Sequence, residues 1–350
     1  MKKKMLSVAL AGVLATVVMG CASGNGTSTP SKEVLATNEN TVADTENSDS
    51  TEKTDGNYPT KQISIICPYS AGGAADTVSR AVAAELQNNL GVPVVVVNKT
   101  GAAGAVGLAE GKAATPDGYT ITYIPVESTF LKYLGMSDVT ADDFELLGRV
   151  MQMPASIVVR ADSQWNTLDE FISYAKDHPA EITVGNPGSG SNFYMAAKAL
   201  EHEAGVQFTH VPFDGSSAAI TALLGGNISA ASIAPGEAAA NIGEGGDLKV
   251  LSLLSGNAST TFPEIPVAKD LGYNVSFQGW ASFGVPLNTP EDVVKILEEG
   301  LAKAADTDTV KNVLSTKGFD YAYLNAADMT AFAKEEQAKY ENIVTELELK

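Results

Sequence analysis

The stretch "CPYSAGGAADTVSRAVAAELQNNLG", Cys67 to Gly91, decides how this chain is read. An apolar run, Ile63 to Cys67, leads into it as a strand. A helical pattern from Thr77 to Leu90 leaves it, with Val78, Val82, Leu86 and Leu90 on one face. Gly91 and Pro93 stop that helix. Between the two stand Ser70, Ala71, Gly72, Gly73 and Ala74, without charge or bulk. In open α/β sheets, ligands sit beyond the carboxyl ends of strands, at the N-termini of the helices that follow. Such an N-terminus carries free N–H groups and a partial positive charge, so it binds an anion without a basic side chain. Small residues keep side chains from blocking the backbone. The elbow is therefore a candidate anion-binding loop, and Asp76 is expected to cap its helix.

Further elbows of this kind follow. "GNPGSGSNF", Gly185 to Phe193, joins a strand to a helix, and its Ser189, Gly190, Ser191 and Asn192 offer amides, hydroxyls and a side-chain amide. Phe213-Asp214-Gly215-Ser216-Ser217 is a third, and Ile233-Ala234-Pro235-Gly236 a fourth. A single glycine-rich turn serves tight packing as readily as binding. Several in a chain with only three arginines, Arg80, Arg149 and Arg160, point to a small-anion site.

The 350 residues are 44% hydrophobic and 19% charged, with 42 acids against 23 bases and a net charge of −19. A surface this acidic repels phosphate backbones, which argues against nucleic-acid binding. Length and composition suit two domains. Lys2, Lys3 and Lys4 precede an apolar run, Leu6 to Met19, too short to span a bilayer comfortably. Val18-Met19-Gly20-Cys21 closes it and resembles the lipobox of bacterial lipoproteins. That resemblance implies a signal peptide over 1–20, cleavage before Cys21 and lipidation of its sulfur, with two acyl chains for stable anchoring. The remaining cysteine, Cys67, then has no intramolecular partner and is expected to be buried. Residues 21–58 are rich in Ser, Thr, Asn, Asp and Glu and cannot bury a core. They read as a disordered tether with a root-mean-square span of roughly 35 Å.

From Tyr58 strands and helices alternate. Expected strands are Val94–Val97, buried by its β-branched run, then Tyr119–Pro125, Ile157–Arg160, Ile182–Gly185, Gln207–Val211, Ile228–Ser232 and Leu248–Leu254. Expected helices are Leu168–Asp177, with Thr167 and Glu170 at capping-box spacing, Asn192–Ala204 and Ser216–Leu224. Thr289-Pro290-Glu291-Asp292 reads as an N-cap, a first-position proline and first-turn acids. Alternation implies parallel sheets covered by helices. No dinucleotide fingerprint, P-loop, GxSxG elbow or HExxH motif occurs: Gly101 to Gly107 is GxxGxxG. The three histidines, His178, His202 and His210, lie on separate elements. A hydrolase reading through Ser189 and His210 has no supporting spacing.

Taken in order, five blocks resemble the solute-binding proteins of the tripartite tricarboxylate transporter, or Bug, family. They are "YPTKQISIICPYSAGGAADTVSR", "VPVVVVNKTGAAGAVG", "AATPDGYTIT", "VPFDGSSAAITALLGGNISAA" and "GWASFGVPLNTPEDVV", within a match over roughly 58–350. The resemblance implies a two-lobed, type II-like periplasmic-binding-protein fold. Its two mostly parallel sheets are flanked by helices, and the chain crosses twice, near Met153 and Gln278. Lobe 1 is then 59–153 plus 279–350, and lobe 2 is 154–278. It implies no enzyme and no cofactor or metal. A small carboxylate is gripped by backbone amides of Ser70, Ala71, Gly72, Gly73 and nearby Asp76, facing Ser189, Gly190, Ser191, Phe213, Asp214 and Gly215. Ser128, Thr129 and Ala234 are further candidates. The implied partners are a large and a small integral-membrane subunit, served by a monomer lipid-anchored outside the cytoplasm. A receptor feeding a sensor kinase would use the same binding chemistry. Asp214 departs from the family, which often has a lysine-like residue there. It favours a ligand that also carries an amine, or it faces solvent. Ser282 stands where glycine is usual.

Overall fold

Apolar runs in the sequence become the strands of two sheets in the computed structural model, which describes residues 58–347. The expected signal peptide, Cys21 and the tether up to residue 57 lie outside the described residues. In chain order the elements are β1 (Ile63–Cys67), α1 (Ala74–Leu90), β2 (Val94–Asn98), α2 (Ala105–Lys112), β3 (Thr120–Pro125), β4 (Phe144–Pro154), β5 (Ser156–Arg160), α3 (Leu168–Asp177), β6 (Thr183–Asn186) and α4 (Asn192–Ala204). There follow β7 (Thr209–Pro212), α5 (Ser216–Leu224), β8 (Ala230–Ile233), β9 (Leu248–Leu253), β10 (Gln278–Pro286), α6 (Glu291–Ala305), α7 (Asp308–Thr316), β11 (Asp320–Asn325) and α8 (Ala326–Glu346).

The first sheet has the order β11-β4-β10-β3-β1-β2 and the second β7-β6-β8-β5-β9. The chain passes from the first to the second between β4 and β5 and returns between β9 and β10. At this double crossing the strands remain tied together. Leu254 N donates to Ala155 O (2.6 Å), Phe277 N to Leu254 O (2.7 Å) and Ala155 N to Phe277 O (3.2 Å). One apolar cluster runs from Ile124 and Phe130 through Phe277, Trp280 and Tyr340 to Phe171, Val184 and Leu200. The lobes therefore share buried surface at the crossing. Each large side chain buried there contributes about 1.5–3 kcal/mol.

The sheets are mixed rather than mostly parallel. Pairs β1–β2, β1–β3, β6–β7 and β6–β8 are parallel. Pairs involving the crossing strands, β4, β5 and β10, are antiparallel, as is β11 with β4. A strand that hands the chain to the other lobe and one that brings it back run in opposite senses, so alternation of β and α cannot hold there. The expectation of a buried Val94–Val97 holds only in part: Val94 is buried and Val96 half-buried. β2 is an edge strand, and Val95 and Val97 are 36% and 37% exposed because one face has no helix over it.

Helix starts differ in instructive ways. α1 begins at Ala74, three residues before the expected Thr77, with Gly73 and not Asp76 at its N-cap. Thr167 caps α3 through Glu170 N (3.2 Å), but the Glu170 carboxylate accepts from Asn166 N (2.6 Å), not from the cap residue. Thr289 donates to Pro286 O (2.7 Å), and Pro290 takes the N-cap position of α6.

Candidate functional site

The parallel strands end on one edge of each lobe, and the elbows predicted from sequence lie beyond those ends. In the first, Gly72 adopts φ +79°, a left-handed conformation that suits glycine. Its amide donates to Asp76 Oδ2 (2.8 Å). Asp76, the third residue of α1, is only 3% exposed and also accepts from Arg80 Nε (3.0 Å) and, at Oδ1, Asn98 Nδ2 (2.8 Å). Burial opposes its ionisation, but hydrogen bonds from Arg80, Gly72 and Asn98 outweigh that and hold the carboxyl below its usual range. Asp76 thus fixes the loop from within rather than reaching for a ligand. Ser70, Ala71, Gly72 and Gly73 are exposed, and no side chain caps α1. Its first-turn amides are left for something outside the helix.

In the second lobe α5 starts after Gly215 (φ +93°), also with no side-chain cap. Phe213 covers Gly185, where a Cβ would lie 2.9 Å from the ring. Asp214 is exposed. The other elbows are closed by the protein's own oxygens. Ser191 Oγ accepts from Tyr194 N (3.2 Å) and donates to Gly188 O (2.8 Å). Ala234 N donates to Glu237 Oε2 (3.3 Å), which also accepts from Ser216 Oγ (2.8 Å). Ser128 and Thr129 are buried, and their hydroxyls donate to Pro125 O and Val126 O, each at 2.6 Å. Ser189 is exposed and Gly190 buried.

The 3-10 turn Val126–Thr129 instead presents a residue that sequence reasoning passed over. Glu127 accepts from Tyr69 Oη (3.0 Å) and from Asn192 N at the start of α4 (3.2 Å). One carboxylate therefore connects the first elbow, the end of β3 and the opposite lobe. The lobes also touch at Gly190, where a Cβ would lie 2.8 Å from Met136 Cε and 3.2 Å from Ala103 Cβ. Ala102 and Ala103, at φ +47° and +53°, form the left-handed bend of the GxxGxxG segment on that rim. Burial pushes the Glu127 carboxyl up, against hydrogen bonds from its own amide, Asn192 and Tyr69. Burial does the same to Glu237, against Ser216 and Ala234. The available signal was an acid immediately after an apolar strand, Pro125-Val126-Glu127, and in the first turn after Pro235.

His210 Nε2 lies 2.6 Å from Glu201 Oε2, and no hydrogen bond joins it to Ser189 among the described residues. Among those residues no group of three or more His, Cys, Asp or Glu could hold a metal ion. Among the described residues no helix is long and apolar enough to cross a membrane. Shallow hollows of about 420 and 480 Å³ lie away from the elbows, one beside Lys198, His202 and Leu347, the other beside Lys303 and Asp306.

Residues 78–349 match the family model described as "Tripartite tricarboxylate transporter family receptor". The chain belongs to this family. It is a family of substrate-binding receptors, not of enzymes. A Cupriavidus necator relative, the UPF0065 protein in the gbd 5′ region, is 31% identical over 83% of this chain and 89% of its own. A ligand-free TctC solute-binding protein from Polaromonas is 33% identical, with a TM-score of 0.70 over 83% of this chain and all of that one. MatC from Rhodopseudomonas palustris, solved with bound malate, shares the fold at 24% identity and a TM-score of 0.72, over 82% of this chain and 100% of its own.

Proposed function

We propose that this receptor captures a small organic carboxylate between its lobes and delivers it to a tripartite tricarboxylate-type membrane transporter. The reading includes a monomer held outside the cytoplasm by a lipid on Cys21, with lobe 1 formed by 59–153 plus 279–350 and lobe 2 by 154–278. The observation that carries it is the pair of helix N-termini, α1 and α5, that begin at exposed or half-buried glycine loops without any side-chain cap. Unopposed first-turn amides favour an anion, and a carboxylate offers two oxygens to accept from them. Malate in a relative of the same fold is consistent with this chemistry. Three or four charge-assisted hydrogen bonds contribute about 1.5–3 kcal/mol each. Less the cost of association, that corresponds to affinity of about micromolar order.

The test is mass spectrometry of solute released from the purified protein, followed by calorimetry with that solute. Gly72→Val places a branched side chain at a left-handed position in the first loop and should abolish binding. Wild-type affinity in that variant would remove the first loop from the site. A released solute without a carboxylate would overturn the reading.

A further inference from the structure

In each sheet the strand order reverses about one strand. β2 and β3 lie on opposite sides of β1, and β7 and β8 on opposite sides of β6. Ligands of open α/β sheets bind beyond the carboxyl ends of the strands at such a reversal. Tyr69 stands two residues beyond β1 and Glu127 two residues beyond β3. Tyr69 Oη donates to Glu127, and so does Asn192 N, which sets the first reversal against the start of α4.

The second reversal carries Asn186, the last residue of β6. Val184 and Gly185 pair with Ala230 and Ala231 of β8, so the next step along sets Asn186 beside Ser232 on the same face. Ser232 Oγ donates to Phe193 O in the first turn of α4 (2.7 Å). Asn186 therefore lies under that turn. It has no exposed surface, and neither its Nδ2 nor its Oδ1 has a partner. Asn192, in the same turn and also buried, gives Oδ1 to Tyr340 and leaves Nδ2 unpartnered. A buried amide left unpaired is destabilising, so these residues call for a group the chain does not supply.

Charge narrows what that group is. The start of α4 already has Glu127 on Asn192 N and Ser191 Oγ on Tyr194 N, and the start of α5 has Glu237 on Ser216 Oγ. Among the described residues neither acid forms an ion pair with Lys, Arg or His. The three arginines are engaged elsewhere, Arg80 by Asp76, Arg149 by Ala322 O and Arg160 by Asp162. At α1 the nearby carboxylate, Asp76, is neutralised by Arg80, and no side chain caps the helix. One solute carboxylate fits there. A second, at α4 or α5, would approach an acid with no cation beside it.

Resting on the carboxylate reading, we infer that the preferred solute is a monocarboxylate whose other end is a primary carboxamide, read by Asn186. The carboxylate meets the first turn of α1. The carboxamide oxygen accepts from Asn186 Nδ2 and its NH2 donates to Oδ1, so two planar amides satisfy each other. Exchanging the Asn186 oxygen and nitrogen leaves that match intact. A hydroxyl would complete only one of the two atoms, and a carboxylate would bring an anion against Oδ1.

Succinate and succinamate differ only at this end, and butyrate serves as the apolar reference. Calorimetry at pH 7.5 should give at least 10-fold tighter binding of succinamate than of succinate. Asn186→Leu, close in volume and without either polar atom, should lower the ratio of succinamate to butyrate affinity at least 5-fold. Asn186→Asp should lower it too, since the donor becomes an anion. A purely structural Asn186 would lower the thermal midpoint of both variants without moving that ratio, and this result would overturn the inference. Succinate binding as tightly as succinamate, or succinamate no tighter than butyrate, would overturn it and leave carboxylate binding standing. A crystal structure of the wild type with succinamate gives a readout independent of the variants. The carboxamide on Asn186 would support the inference, and water alone on Asn186 would overturn it. Binding of none of the three acids would overturn both this inference and the carboxylate reading.

Discussion

Gly236 and Gly318 meet backbone to backbone across the two lobes. A Cβ on Gly236 would lie 2.6 Å from Gly318 Cα and would also overlap Lys317 O. Gly236 follows β8 in the second sheet, and Gly318 precedes β11 in the first. The contact is thus part of how closely the lobes approach, and it depends on two residues without side chains.

Gly236→Ala tests that dependence directly. The added methyl meets backbone, which cannot rotate away, so the lobes should be held apart. Ligand affinity is expected to fall at least 10-fold by calorimetry, and the radius of gyration with ligand should rise towards the ligand-free value in solution scattering. Each lobe's own core is untouched, so a large fall in thermal midpoint would point to a structural role instead.

Asp76→Asn keeps the shape of the first elbow and removes its buried charge. Losing charge-assisted hydrogen bonds from Arg80, Gly72 and Asn98 should cost about 2 kcal/mol in stability. The pH dependence carries a definite sign. A carboxyl held below its usual range stabilises the fold above the unfolded value of about 3.9, and that stabilisation is lost as pH falls through the lower folded value. Chemical denaturation from pH 5 down to pH 2.5 should therefore show a steeper acid loss in the wild type than in Asp76→Asn.

Glu127 and Glu237 act in the opposite sense. Their carboxyls are raised by burial, so the stabilisation linked to them is full below the unfolded value of about 4.3 and disappears as pH rises through the folded value. Acidification from pH 7 to pH 5 should raise the thermal midpoint of the ligand-free wild type relative to Glu127→Gln. A constant difference across that range would show that Glu127 does not titrate differently in the folded chain.

Tyr340→Phe removes the hydrogen bond from Tyr340 Oη to Asn192 Oδ1 (2.7 Å), through which α8 of the first lobe holds the start of α4. Both residues are buried, and Asn192 Nδ2 already lacks a partner. Stability should fall by about 1–3 kcal/mol as the amide is left wholly unsatisfied. Wild-type stability by chemical denaturation would mean that water replaces the hydroxyl.

Elements whose signals are local were legible in the chain itself. The spans of α3, α4 and α5 follow from periodicity and from Thr167, Ser191, Gly205 and Gly215 at their ends. The antiparallel centre of the first sheet was harder. β4, Phe144–Pro154, includes Gly148, Arg149 and Gln152 and lacks a strand-like alternation, because its central place and its crossing role set its pattern. Arg149 is accommodated there by a bond from Nε to Ala322 O (2.9 Å) and by the Phe332 ring, 4.7 Å from its guanidinium carbon. Neither contact is local in sequence.

By itself the sequence determined the elbows: where strands end, where small residues leave helix amides bare, and which family the five blocks resemble. These are short-range properties of backbone sterics and hydrogen-bonding capacity. Only the tertiary structure decided which helix ends remain free. Glu127 reaches Asn192 across 65 positions, and Glu237 reaches Ser216 across 21. Whether the start of a helix already has an acceptor depends on which distant carboxylate the fold brings beside it, and no local pattern encodes that approach.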